Sequence, residues 1–158
     1  MRAISLWQPW ASAIAVGAKR IETRSWSTSY RGPIAIHASK RLVKSEMAML
    51  ERREDWQAVF ATSRYANDFL RMPFGALVAV AELVDVVPYN KLDLEVLAEY
   101  RIHEGQPSYP HWNERMLGNY GPGRYGWMLS NVRPINPIPI RGEQGLFTIP
   151  DQILEGAL

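Results

Sequence analysis

Apolar and polar positions change rhythm several times along the chain, and each change marks a candidate element. "AISLW" (3–7) opens as a strand. "QPWASAIAVG" (8–17) reads as a short helix: Pro9 suits a first helical position, where no backbone donor is needed, and Gly17 suits the left-handed residue that ends a helix. "KRIETRSW" (19–26) alternates, so a strand there places Arg20, Glu22 and Arg24 on one face and Ile21 and Thr23 on the other. After the turn "YRGP", the run "PIAIHAS" (33–39) is rich in strand formers. Residues 41–71 scatter Met47, Leu50, Val59 and Phe60 among many charges and read as helical, with the charged positions of 41–56 a solvated face. "GALVAVAELVDVV" (75–87) is a long buried strand, and residues 92–102 suit a short helix.

From residue 103 to 126 the composition shifts to Gly, Pro and aromatics, a long loop of the kind that is often functional. "YGWMLSNVRPI" (125–135) and "IPIRG" (138–142) look like two final strands separated by Pro-containing turns, and "QGLFTIPDQILEGAL" (144–158) closes with a helical turn. No period repeats and no low-complexity tract occurs. Many short strands with few helices suggest a small, closed or nearly closed β-barrel carrying helical additions; periodicity alone leaves an α+β sandwich equally open.

Composition narrows the class. The chain has 158 residues, 47% of them apolar, which is enough for one domain with a real core over residues 1–158. It contains no cysteine, so disulfides and thiolate metal sites are excluded and a reducing compartment fits. Apolar runs such as "FGALVAVAELV" stop well short of the ~20 residues that span a bilayer. The first 17 residues superficially resemble a signal peptide, but Gln8 and Pro9 break the apolar run and no cleavage site follows; the segment is expected to be mature protein in the cytoplasm. The net charge is only +2, yet residues 1–53 hold ten Lys/Arg against three Glu, while residues 54–158 hold eight against thirteen acids. That asymmetry suggests one surface meeting a polyanion, either a nucleic acid or an acidic protein.

The segment "SLWQPWASAIAVGAKRIETRSWSTSYRGPIAIHASK" (5–40) carries a recognisable pattern, Gly-x-Lys-x-x-Glu-x-Arg, at Gly17, Lys19, Glu22 and Arg24. With "QPWA" upstream and Arg31–Gly32 downstream, it resembles the start of the ASCH (activating signal cointegrator homology) family. The likeness is strong over residues 4–40 and weaker through the later strands, which leaves 41–71 and 89–124 as helical elaborations. The resemblance implies an α+β fold, a small PUA-like β-barrel with peripheral helices. It also implies a module for RNA or another single-stranded nucleic acid, in a superfamily where some members cradle a flipped or modified base. No cofactor and no membrane partner is implied. A short bacterial subgroup similar in this motif hydrolyses acetylated cytidine, and ribonuclease activity has been suggested for others. The hydrolytic pattern has Lys-x-x-Thr with Thr as nucleophile; here Glu22 stands at that place and Thr23 falls on the opposite strand face.

The candidate chemistry follows from residue type. Lys19, Arg20, Arg24, Arg31, Lys40 and Arg41 supply cations for phosphate, extended by Lys44, while Trp7, Trp26 and Tyr30 supply flat surfaces for unstacked bases. Trp10 is expected in the seam between helix and barrel. Glu22 among these bases either orients Arg24 and Lys19 as an ion pair or accepts a hydrogen bond from a base edge. As catalysts, Lys19 and Glu22 form the alternative hydrolase reading, although an ionised Glu22 favours a charged and hence non-basic Lys19. Ser39, Ser130 and His37 are further recruits, but His37 in "IAIHAS" reads first as a packed strand residue. In "YGPGRYGW" (120–127), Arg124, Tyr125 and Trp127 form either a lid over a ligand or a turn entering a strand. His103 and His111 lie eight apart with no acidic or Cys pattern, so no metal site is expected.

Overall fold

Our computed structural model describes residues 1–66, 68–92 and 111–156. Its centre is one six-stranded mixed sheet in the order β2-β5-β4-β3-β1-β6, curled into a half-barrel. The strands are β1 (Arg2–Leu6), β2 (Ile21–Arg24), β3 (Gly32–Ala38), β4 (Ala76–Pro88), β5 (Tyr125–Pro139) and β6 (Leu146–Thr148). β1 and β3 run parallel, with Ile4 opposite Ile36 and Ser5 opposite His37; the other pairings are antiparallel. The register of β4 on β5 shifts at three places. Asn131, at φ 48°, sits in one of these irregularities, where Asn tolerates the left-handed region better than most residues. Bulges of this kind bend a strand and increase its twist, which curls the sheet.

Helix α1 (Trp10–Ala15) packs against one face of the sheet, where Ile14 and Ala11 meet Ile4, Leu6, Ile34, Ile36, Leu83 and Trp127. Pro9 precedes the helix by one position rather than starting it. In the first turn the Ala11 N–H donates to the Trp7 carbonyl at 3.1 Å and the Ser12 N–H to Gln8 Oε1 at 3.0 Å, and Gln8 is fixed by its Nε2, which donates to the Pro73 carbonyl at 2.7 Å. Gly17, at φ 83°, turns the chain out of the helix as expected. Behind α1, helices α2 (Lys44–Glu51) and α3 (Glu54–Phe60) and the short turn Phe69–Arg71 build a second core from Met47, Leu50, Trp56, Phe60 and Phe69. Trp10 belongs to this helical core, edge-on to Trp56 at 5.6 Å, more than to the barrel seam. The opposite face of the sheet carries a third cluster around Leu77, Val80, Ile135 and Phe147.

Two expectations change. Residues 125–139 form one continuous bulged strand, and the closing β-element is the three-residue β6, not "IPIRG". The segment 111–117, taken as loop, is helix α4. The helix expected over 92–102 lies outside the described residues beyond Leu92. Among the described residues, no helix is long and apolar enough to cross a membrane.

Candidate nucleic-acid interface

A cleft of about 1190 Å³ opens where β1 and β3 end, bounded by β2, the C-terminal end of α4 with the loop that follows, and the loop 141–145. Its walls combine rings (Trp7, Trp10, Trp26), cations (Arg24, Lys40, Arg124, Arg141), acids (Glu22, Glu143) and small polar groups (Ser5, His37, Ser39, Asn119). Cations outnumber acids by two among these lining residues.

β2 supplies the acidic centre. Its alternation is as expected: Ile21 and Thr23 are buried, while Glu22 and Arg24 are turned toward the cleft. Lys19 is 0% exposed, and its Nζ donates to the Ile21 carbonyl and lies 3.7 Å from Glu22 Oε2. Glu22 Oε1 lies 3.6 Å from Arg24 Nη1. Glu22 is thus suspended between an ammonium beneath and a guanidinium beside it; Glu22 and Arg24 line the cleft and Lys19 does not. Arg24 in turn lies 5.7 Å from the ring centre of Trp26, within cation–π range. Trp26 meets Trp127 edge-on at 4.6 Å, and the Trp127 indole N–H donates to the Trp26 carbonyl at 3.2 Å.

β2 is an edge strand, and the chain covers its start. The buried carboxylate of Glu114 on α4 accepts the backbone N–H groups of Arg20 and Ile21, the latter at 3.2 Å. Arg124 Nη2 donates to the Thr23 carbonyl at 3.1 Å, and the Asn119 N–H donates to Thr23 Oγ1 at 3.0 Å. The segment 118–124 is therefore strapped to β2 and runs straight into β5, so it forms a wall and not a lid. Nothing local in the sequence marks Glu114 for this role, because its partners are some ninety residues away.

Of the residues singled out in sequence, Glu22, Arg24, Trp26, Lys40 and Trp7 converge on the cleft. Trp7 is 55% exposed at the rim, with the Arg41 guanidinium 4.0 Å from its ring centre and held there by a two-pronged contact to Glu46 at 3.0 and 3.1 Å. Lys19 lies beneath the floor, which takes its amine away from a reacting group in the cleft. Arg20 is buried and does not line the cleft. Trp127, 1% exposed, is core and acts on the cleft only by bracing Trp26. Tyr30 donates to the Pro33 carbonyl at 2.5 Å, and Arg31 is held by Asp85 at 2.9 Å; both stand outside the cleft. Lys44 is exposed at the start of α2, and Ser130 lies away on β5.

The structure adds Ser5, Asn119, Arg141 and Gln144, and it recruits His37 and Ser39. Two polar atoms in the walls, Ser39 Oγ and Arg124 Nε, are buried with no hydrogen-bond partner among the described residues. Orphans of this kind are uncommon and call for an unseen partner. Among the described residues no group of three His, Asp or Glu is placed to hold a metal ion.

The structure is a curled α+β half-barrel with a cleft at one end of its parallel strands. The ASCH domain family model matches residues 4–139, and the chain belongs to that family. Activating signal cointegrator 1 of Mus musculus is 36% identical over 88 residues, and that of Homo sapiens 35% over 88 residues. Each match covers 52% of this chain and only 14% of the coactivator. Among solved structures, the ASCH protein of Zymomonas mobilis superposes with a TM-score of 0.50 at 18% identity, covering 98% of this chain and 90% of that one. A serine-to-alanine mutant of the same Zymomonas mobilis protein gives 0.50 and 18%, over 98% and 92%. At that identity the likeness concerns the fold alone.

Proposed function

We propose that the cleft binds single-stranded RNA and holds one unstacked nucleotide. The observation that carries this reading is the mixture in its walls: three Trp rings and four cations line one opening of about 1190 Å³. Bases offer flat faces for the rings, and phosphates offer charge for Arg24, Lys40, Arg124 and Arg141. The unsatisfied Ser39 Oγ and Arg124 Nε are natural contacts for such a ligand. Membership of a family linked to nucleic-acid binding supports the same assignment, and a cysteine-free chain fits a cytoplasmic setting. The test is binding of a labelled single-stranded RNA to the wild type and to Trp26→Ala. Loss of one stacked base is expected to weaken binding by about 1–3 kcal/mol and to leave the salt dependence nearly unchanged. A folded Trp26→Ala that binds as tightly as the wild type refutes Trp26 as the platform.

A further inference from the structure

Ser5 and His37 face each other across the parallel β1–β3 pairing, on the strand faces turned away from Ile4, Leu6 and Ile36. Both line the cleft, although His37 is only 2% exposed. The proton positions of this pair follow from its partners. His37 Nε2 lies 3.2 Å from the Ile140 carbonyl oxygen, which can only accept, so Nε2 carries the ring proton. In the neutral imidazole, Nδ1 is then an acceptor. Ser5 Oγ lies 3.0 Å from Nδ1 and donates its single proton there. Burial holds the His37 pKa below its ordinary value, against a smaller opposing effect of the Ile140 hydrogen bond, which keeps the ring neutral near pH 7.

A serine hydroxyl ordinarily offers either polarity. With its proton committed to His37, Ser5 offers the cleft lone pairs only. Glu22 and Glu143 are two more cleft-lining groups that only accept when ionised. The cations of the cleft donate with a charge that suits phosphate, and Ser39, Asn119 and Gln144 can either donate or accept, so Ser5 is the neutral side chain whose polarity is fixed. We infer that the cleft selects a nucleobase whose edge carries an exocyclic amino group, and disfavours uracil. The inference rests on the preceding reading that a nucleotide occupies the cleft. Cytosine and uracil stack alike and differ at this edge. Cytosine presents an amino donor where uracil presents a carbonyl, whose lone pairs would face those of Ser5 or Glu22. Leaving acceptors opposed in this way is the usual source of discrimination in a hydrogen-bonding site.

The experiment compares fluorescein-labelled oligocytidylate and oligouridylate of equal length at one salt concentration, with oligoadenylate as a third probe. The wild type is expected to bind the cytidine oligomer about ten-fold more tightly than the uridine one, the low end for one base contact. Ser5→Ala removes the acceptor and should shrink that ratio toward one. His37→Phe frees the Ser5 hydroxyl to donate and should raise uridine binding relative to cytidine; Ser5→Ala keeps the question decidable if His37→Phe does not fold. Equal affinity of the wild type for the two pyrimidine oligomers overturns the inference and leaves RNA binding standing. An undiminished cytidine preference in folded Ser5→Ala also overturns it. Failure of all three oligomers to bind overturns it together with the reading on which it rests.

Discussion

His37 is a base kept away from its proton. The folded protein binds that proton less readily than the unfolded chain, in which histidine titrates near 6.5. As pH falls through that value, the unfolded state takes up the proton first, and the equilibrium moves toward unfolding. The stability His37 contributes is present in full above the unfolded value. It declines as pH drops below 6.5 and levels off once the folded-state value is passed. Thermal melts from pH 7.5 downward should show this loss in the wild type, and His37→Gln should flatten it over the same window. Identical slopes in the two proteins would place the proton-linked instability elsewhere. At this scale the alternation of 21–24 is legible in the sequence, because Glu22 and Arg24 each stand beside a buried residue, whereas Arg20, expected on their face, is buried. Ser5, Asn119 and Arg141 carry no such mark. Their neighbours in the cleft come from distant segments, and Ser5 gains its acceptor only when β3 aligns beside β1.

The loop 141–145 shows how an element positions chemistry without contributing much of its own. A Cβ built on Gly142 would stand 2.2 Å from His37 Cε1, 2.4 Å from Nδ1 and 2.6 Å from Ser5 Oγ. The imidazole is buried and tied at both nitrogens, so it has little room to yield. Gly142→Ala is expected to destabilise the fold by about 1–3 kcal/mol, as overpacking does, and to weaken ligand binding by displacing the pair. Urea unfolding of Gly142→Ala beside Gly145→Ala checks the cause only in part, because Gly145 has open space but a φ of 73° that any side chain strains. The sharper control is Gly142→Ala combined with His37→Ala, in which the added methyl should cost far less. Most elements are readable from pattern: β1 to β4, α1 and the helical insertion stand where alternation and charge spacing put them. β5 is one exception, and its prolines explain why. Pro134, Pro137 and Pro139 look like strand breakers, since proline cannot donate to a ladder. They are tolerated here because β2 pairs with β5 only from Tyr125 to Met128, which, among the described residues, leaves the later part of β5 with one edge free of a neighbouring strand. β6 is three residues long and too short for alternation to register.

On the scale of the whole molecule, the basic excess of residues 1–53 overstates what a polyanion meets. Arg31, Arg41 and Arg53 are each paired with an acid, and Lys19 and Arg20 are buried. If the four cleft cations make the phosphate contacts, the logarithm of RNA affinity should fall with the logarithm of salt at a slope of about −3, since each contact on a single strand contributes about −0.7. Lys40→Ala should reduce that slope by one such step. Anisotropy titrations at several salt concentrations measure both. A slope twice as steep would indicate a broad basic surface in place of the cleft, and binding indifferent to salt would remove RNA in favour of an acidic protein or another ligand.

The cleft draws its walls from β1, β2, β3, the end of α4 and the loop after β5, segments spread from Ser5 to Gly145. None of these walls can be in place until contacts distant along the chain have formed, above all the parallel β1–β3 pair and β6 against β1. Such non-local topology slows folding, because loop closure is required before the contacts that reward it. It also means that a site this composite recognises only the fully assembled chain. Whatever occupies the cleft acts as a clamp on the global equilibrium: ligand at a hundred times its Kd would add about 2.7 kcal/mol to the free energy of unfolding.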